Sequence, residues 1–543
     1  MRTLRPCKFL GSHRQPGIVV YVILAGTTLI LAFFYAIYFW TFTADDSFIV
    51  FRYSRTFVQK GSFKVPTVEG ESVEGYVNFL WVMLNVIPEM FGISPEIFVK
   101  VTNIVLLLGT IVLLKRLLYD RRYYLLMCIA ICGNPLTWIH CVAGLETILY
   151  AALTVILFSL LISRWLWDSS NHPEWRKALA LALTGMLLAL TRPEGMLVFI
   201  LPLLSTLLIR RDKSRLILMI MGMTFIFGGI YMTWRVWYWG KLFPQPFYVK
   251  QAANIYWSVL LAWLHHCGVI LMLIGALFLI ITIKIFKTRD LRIFSHQHSC
   301  IFIYLAMLPG LVIIYLFFMP IMNYASRFLF PGLLVAIVAA FKTTELESES
   351  ATNIRYGTIM LGLAIGIATA SLIQGAVMFA EEGSQLRLDG ERLKITHVFL
   401  GKQLANVPYP EERALCIMDA GAVPYFSKWR TLDLVGLTSP AAISDGYVGA
   451  KWLSKCDLMI LESRDGKTPC TADPDNFLLL RYPRKADLDV ILKRTILVGS
   501  IKQIEGFYLL AYMRKELART SLGEAITKAV AATERLSKLT LMN

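Results

Sequence analysis

The chain has 543 residues, 56% of them hydrophobic and 17% charged, and a mean hydropathy of +0.59. So apolar a composition excludes an ordinary soluble globule and makes a bilayer the solvent for most of the chain. The formal net charge of +17 would suit a polyanion, but the Lys and Arg residues stand in short clusters between apolar runs, the pattern of cytoplasmic loops, which argues against nucleic acid as a partner.

Met1 to Gly17 carries Arg2, Arg5, Lys8 and Arg14 ahead of an apolar run from Ile18 to Trp40. That run exceeds the core of a cleavable signal and lacks a small-residue cleavage site, which predicts a signal anchor with a cytoplasmic N-terminus. Apolar runs recur to Ala380, and hydropathy predicts about eleven spans: 18–40, 97–114, 123–141, 145–163, 178–191, 195–209, 216–238, 263–286, 300–319, 327–341 and 356–380. Lys115, Arg116, Arg121 and Arg122, then Arg164, Arg176 and Lys177, then Arg210, Arg211, Lys213 and Arg215, then Lys284, Lys287, Arg289 and Arg292 all fall inside. This is the charge distribution of a multi-pass protein of a bacterial inner membrane.

The first outer loop, 41–96, reads as two interfacial helices. Asp45 to Lys60 offers Phe48, Phe51, Tyr53 and Phe57 to the interface, and Tyr76 to Gly92 is too short and too interrupted, by Asn78, Asn85, Pro88 and Glu89, to cross. From Glu381 the pattern changes to a helical stretch, 385–405, and strand-like runs at Ala414–Met418, Thr431–Leu434 and Leu458–Leu461. Arg514 to Leu541 has helical periodicity with its cations on one side, as a solvated surface helix would. The predicted fold class is therefore mainly α: a polytopic membrane helical bundle, 1–380, with a C-terminal periplasmic soluble α/β domain, 381–543. Nine cysteines show no metal-ligand spacing; Cys128 and Cys132 lie in a membrane helix, and only Cys416, Cys456 and Cys470 in the soluble domain leave room for one disulfide.

Ionisable groups gather on the outer side. Asp45 and Asp46 open the segment Ala44–Tyr53, and Asp45 and Arg52 share a helix face at about two turns. The pair of carboxylates can simply stabilise a helix N-terminus, but a base beside a cation also fits group transfer, with Asp45 the preferred proton acceptor. After Glu69 and Glu71 comes Val73–Trp81, in which Glu74 and Asn78 are spaced as neighbours on a turn, able to hold sugar hydroxyls, and Tyr76 is an interfacial or binding aromatic. Glu146, then Arg192 and Glu194, the stretch Lys241 to Lys250 with Tyr248, and Arg327 fall on the same side. Arg192, Lys241, Lys250 and Arg327, with Arg235 near an outer helix end, form a cationic set that suits a lipid-linked phosphate or, more blandly, membrane phospholipid headgroups. Asp419 opens a turn containing Gly421, which can face an acceptor or merely pack.

At these residues the chain resembles the GT-C glycosyltransferases, and within them the group that includes the terminal arabinofuranosyltransferases of mycobacterial cell walls and related pilin-modifying transferases. The matching pieces are Asp45-Asp46 with Phe48, Arg52 and Tyr53; Val73–Asn78; Gly144–Thr147; Thr191–Gly195; Gly240–Pro244 to Tyr248; Arg327-Phe328; and Asp419–Tyr425. The resemblance implies the GT-C fold, an Asp of the first outer loop as catalytic residue, and a polyprenyl-phosphate sugar donor, with arabinofuranose among the sugars. It also implies a glycan, lipid or protein acceptor at the periplasmic face, bound with help from the outer soluble domain. Many members hold a divalent cation, and Asp45, Asp46, Glu69, Glu71, Glu74, Glu146 and Glu194 stand on one side here. The cationic set can itself neutralise a leaving phosphate, so no cofactor is assigned and metal dependence stays open. The rival class, a transporter or flippase of lipid-linked saccharides, calls for midplane charges and paired broken helices, and neither is visible in the sequence.

Overall fold

The computed structural model describes residues 18–163, 166, 174–209, 211–250, 255–288, 301, 312–317, 322–349, 351, 354–441, 450–471, 484–504 and 506–541. The basic stretch before Ile18 and most of the predicted span 300–319 lie outside them. In chain order the helices are α1 (Ile18–Tyr38), α2 (Asp45–Lys60), α3 (Phe79–Phe91), α4 (Pro95–Leu114), α5 (Arg121–Cys132), α6 (Pro135–Val142) and α7 (Thr147–Ile162). They continue as α8 (Glu174–Thr191), α9 (Gly195–Ile209), α10 (Ser214–Trp239), α11 (Gln245–Lys250), α12 (Trp257–Thr288), α13 (Phe330–Glu349) and α14 (Ile354–Leu393).

Among the described residues, four helices are long and apolar enough to cross a membrane: α4, α10, α12 and α14. The predicted span 123–141 is not one helix. Gly133-Asn134-Pro135 breaks it into α5 and α6, bent by 58°, because Pro135 cannot continue a helix and Asn134 Oδ1 instead accepts from the Leu136 N–H at 2.9 Å to start a new one. The predicted span 145–163 becomes α7, 16 residues long and buried along most of its length. Hydropathy alone does not separate a helix bathed in lipid from one enclosed by other helices.

Helix α2 also departs from expectation. It starts at Asp45 after an extended Ala44 (φ −73°, ψ 138°) and stops at Gly61, whose left-handed φ of 64° lets its N–H close back on Phe57 O. Phe48, Phe51 and Tyr53 do not reach a lipid interface; each is at most 2% exposed. The rings of Tyr425 and Phe426, beyond α14, pack on Phe48 at 5.7 and 5.6 Å between centroids, and Tyr53 packs against Tyr76 and Trp239. Helix α3, by contrast, leaves Met83, Ile87, Met90 and Phe91 exposed.

Helix α14 runs unbroken for 40 residues through the expected boundary at 380/381. A π-helical turn, Lys394–Val398, then leads to α15 (Phe399–Leu404) and strand β1 (Ala414–Ile417). The remaining elements are α16 (Ala422–Ser427), β2 (Arg430–Asp433), α17 (Ala450–Leu453), β3 (Leu458–Ser463), α18 (Lys485–Leu492), β4 (Thr495–Ile504), β5 (Phe507–Arg514) and α19 (Ser521–Leu541). The strands form one mixed sheet in the order β2-β1-β3-β5-β4, parallel from β2 to β3 and antiparallel beyond.

Alternation along the strands sorts the core into two layers. Leu415, Ile417, Leu458 and Ile460 pack with Ile526, Ala529 and Val530 of α19, while Cys416, Leu432, Met459 and Leu461 pack with Leu488 and Ile491 of α18. Helix α19 is thus a structural layer of the sheet rather than a freely solvated helix. Cys416, Cys456 and Cys470 are free thiols. The outer edge of β2 is covered by the first outer loop: Thr67 bridges Thr431 in parallel, and the Val68 N–H donates to Thr431 O at 3.3 Å. An otherwise bare sheet edge thereby ties the outer loop to the C-terminal sheet.

Candidate functional site

A cavity of about 320 Å³ opens between the helical bundle and the C-terminal part. Its walls are the start of α2, residues 75–78 ahead of α3, the turns at 145–146 and 192–194, α11, Tyr315, Arg327 and, from beyond β2, Leu437. Apolar side chains, Ile49, Val50, Leu197, Pro246, Phe247 and Phe328 among them, surround a polar set comprising Asp46, Tyr76, Asn78, Glu146, Arg192, Glu194, Lys250 and Arg327. Residues remote in sequence therefore line one cavity, though not all of the candidate residues do.

Glu146 is the hub. It is fully buried, and one of its oxygens accepts from Arg192 Nε and Arg327 Nη2, both at 2.8 Å, while the other accepts from Asn78 Nδ2 at 2.7 Å. Two guanidiniums on one carboxylate form a buried triad that holds both cations beside the cavity. Glu194 lies 3.7 Å from Arg192 Nη1 and accepts from the Tyr315 hydroxyl. Three buried polar atoms of the lining, Arg192 Nη1, Tyr76 Oη and Asn78 Oδ1, make no hydrogen bond. Groups of this kind ask for a ligand or a water.

The adjacent carboxylates Asp45 and Asp46 face different environments. Asp45 is turned into the C-terminal part, where its two oxygens accept from the Gly421 and Ala422 N–H groups at 2.9 and 2.8 Å. Glycine at 421 makes this approach possible, since a Cβ there would stand 2.2 Å from the Asp45 carbonyl oxygen. Burial first, and then the nearby Asp419, push the Asp45 carboxyl up to about 7, against the pull of His397. Asp46 lines the cavity and accepts no hydrogen bond among the described residues. Burial raises its carboxyl above the usual range, and Lys250 and then Arg327 draw it back. Lys250, whose ammonium is lowered by burial and supported by Asp46, has no ion-pair partner within 4 Å among the described residues.

Other expected positions are engaged elsewhere. Arg52 does not meet Asp45; its Nη2 donates to Pro66 O at 2.6 Å, and Asp433 is the carboxylate that supports its charge. Glu74 and Asn78 do not share a helical turn, because residues 71–78 lie outside any helix; Glu74 pairs with Arg235 at 2.7 Å, which takes Arg235 out of the cationic set. Lys241 donates to Gln245 Oε1 at 3.1 Å, and Tyr248 accepts from the Phe243 N–H at 3.4 Å; neither lines the cavity. Asp419 pairs with His397 at 3.0 Å, away from it. Among the described residues no three His, Cys, Asp or Glu side chains converge as a metal ligand set. The donor set does not fit the divalent cation of many GT-C members.

Three contributors had no signal of their own in the sequence. Gln245, 1% exposed, donates to the carbonyls of Gly436 and Ser439 at 3.2 and 2.9 Å and so fastens α11, with Lys250, to the sheet-bearing part. Leu437 and Tyr315 complete the cavity wall.

Comparison with known proteins agrees with this architecture. A family described as a domain of unknown function, DUF8728, matches residues 384–509. Comparison with curated proteins finds no match. Among solved structures, ArnT from Cupriavidus metallidurans bound to undecaprenyl phosphate is similar with a TM-score of 0.52 at 11% identity, over 93% of this chain and 99% of that one. The archaeal oligosaccharyltransferase AglB from Archaeoglobus fulgidus, in complex with an inhibitory peptide and a dolichol-phosphate, is similar with a TM-score of 0.52 at 11% identity, over 94% of this chain and 78% of that one. At such identity the likeness is one of fold, and it extends over nearly the whole chain: a bundle of apolar helices carrying a small C-terminal sheet, which is the GT-C fold.

Proposed function

We propose that the chain is a membrane glycosyltransferase that moves a sugar from a polyprenyl-phosphate donor to a periplasmic or cell-envelope acceptor. The observation that carries this reading is that Asp46, free of hydrogen bonds among the described residues, shares one partly apolar cavity with Lys250 and Arg327. In the reaction, an acceptor hydroxyl oxygen bonds to the anomeric carbon, the bond from that carbon to the phosphate oxygen breaks, and the phosphate leaves with the electron pair. Asp46 takes the hydroxyl proton, and Lys250 and Arg327 stabilise the charge that develops on the phosphate. Asn78 and Glu194 are placed to orient sugar hydroxyls, and the apolar walls suit the first isoprene units. ArnT was solved with undecaprenyl phosphate and AglB with a dolichol-phosphate, and the shared fold supports a ligand of the same class here. The sequence resemblance nominates arabinofuranose as the sugar. In this reading the basic loops face the cytoplasm of a bacterial cell and residues 381–543 lie in the periplasm.

The test is binding of undecaprenyl phosphate to full-length protein in detergent. Lys250→Ala should weaken it by about 1.5–3 kcal/mol, the range for a hydrogen bond to a charged group. Unchanged affinity in both Lys250→Ala and Arg327→Ala would remove the phosphate from this cavity.

A further inference from the structure

The turn that delivers Arg327 is bent in a way its residue types do not favour. Met322, Ala325 and Ser326 have φ of +62°, +47° and +52°. These are three left-handed residues with a Cβ inside five positions, where glycine would be at ease. Backbone of this kind persists only where its surroundings over-determine it, and it collects at ligand clamps. None of the three lines the cavity, so the ligand itself does not account for the bend.

Two buried histidines from different helices contact the turn. His140, on α6, stands 3.1 Å from the Ala325 carbonyl through Nε2; a carbonyl only accepts, so that nitrogen carries the proton. His266, on α12, meets Ser326 Oγ through Nδ1 at 2.7 Å and Glu382 Oε1, on α14, through Nε2 at 2.9 Å. The two residues are 0% and 4% exposed. The turn closes with the Arg327 N–H donating to Tyr324 O at 3.0 Å, and the guanidinium then enters the cavity against Glu146.

We propose that His140 and His266 are positioning residues for Arg327. By holding Ala325 and Ser326 in the left-handed region they set where the guanidinium stands before a lipid phosphate arrives, and Glu382 fixes the ring of His266. The inference rests on the reading above, in which Arg327 meets the donor phosphate.

Undecaprenyl phosphate binding and thermal melting, measured together on the full chain in detergent, test it with Ala325→Gly, His266→Ala, His266→Asn and Arg327→Ala. Glycine accepts a positive φ without steric cost, so Ala325→Gly should melt no lower than the parent. It should nevertheless bind about 10-fold more weakly, because the turn is no longer confined to one conformation. His266→Ala should show a similar loss, and His266→Asn, whose amide can stand in for Nδ1 toward Ser326, should recover part of it. Parent affinity in both Ala325→Gly and His266→Ala, with Arg327→Ala weakened, overturns the positioning role and leaves the phosphate site intact. Parent affinity in Arg327→Ala takes Arg327 off the phosphate and overturns this inference, while the phosphate reading then stands or falls with Lys250→Ala. Should His266→Ala fail to fold, Ala325→Gly decides.

Discussion

Substituting asparagine at Asp45 and at Asp46 in parallel is expected to produce two different failures one residue apart. Asp45 accepts two buried backbone N–H bonds, at 2.9 and 2.8 Å. Asparagine keeps one oxygen for one of them and turns an amide N–H toward the other, so a charge-assisted bond of about 1.5–3 kcal/mol is lost and a buried donor is left unpaired. Asp45→Asn should therefore lower the melting temperature and loosen the C-terminal part from the bundle, with a modest fall in rate. Asp46 accepts no hydrogen bond among the described residues and faces the cavity, where Lys250 and Arg327 act on it through charge alone. Asp46→Asn should melt closer to the parent than Asp45→Asn does, yet lose about 100-fold to 10,000-fold in turnover, the range for a missing general base. The assay is single-turnover transfer from the lipid-linked donor extracted from source membranes, alongside a melting scan of the same preparations. Wild-type turnover in Asp46→Asn would refute the assignment. Lost turnover with intact melting in Asp45→Asn would return the base to Asp45, the residue the sequence alone favours.

Other outcomes follow from the same geometry. Glu146→Gln leaves Arg192 and Arg327 buried around a neutral amide and should cost about 3–5 kcal/mol, read as a lower melting temperature; unchanged melting would show that the triad is not a scaffold. In the sheet-bearing part, burial pushes the Asp433 carboxyl up to about 6, and burial followed by Asp419 pushes Glu462 up to about 8. From the ordinary carboxylate range near 4 up to those values the folded chain holds protons the unfolded chain has released, so stability should fall as pH rises through that window. Melting should be lower at about pH 8 than at about pH 5, less steeply so in Glu462→Gln, and a rise over that range would contradict the shifts. A reporter active only in the periplasm should work when fused after Asn543; activity from a cytoplasm-only reporter there would invert the whole site.

Much of the bundle was legible because hydropathy integrates over whole helices, and β1 to β3 were legible because their apolar residues come in short, bounded runs. The break at Gly133-Asn134-Pro135 was written in the sequence, but a window as long as a span averages it away. Strand β4 went unread for a different reason. Along β4 only Thr495, Ile501 and Gln503 are buried, so an edge strand shows no clean period of two. The convergence of Asp46, Glu146, Arg192, Lys250 and Arg327 followed from topology alone. Which of the two aspartates faces the cavity did not, because the answer lies in backbone N–H groups at Gly421 and Ala422, 376 and 377 residues from Asp45. Counting charges on one side likewise overstated the site, since Glu74 and Arg235 neutralise each other before any ligand is present.

Helix α14 adds a mechanical consequence. Its 40 residues make an uninterrupted rod of about 60 Å. A rod without a hinge turns the last apolar span and the roof of the cavity into a single lever. Tilting it by about 5° carries the far end by about 5 Å, more than a hydrogen bond spans. Beyond its far end the chain passes through the π-helical turn into the sheet-bearing part, which bonds at Gly421 to Asp45 and at Gly436 to Gln245. Bilayer thickness, which sets how far a span leans, therefore bears on how tightly the two halves close over a substrate, and transfer rates in vesicles of graded acyl-chain length would show a maximum at the thickness that seats the lever.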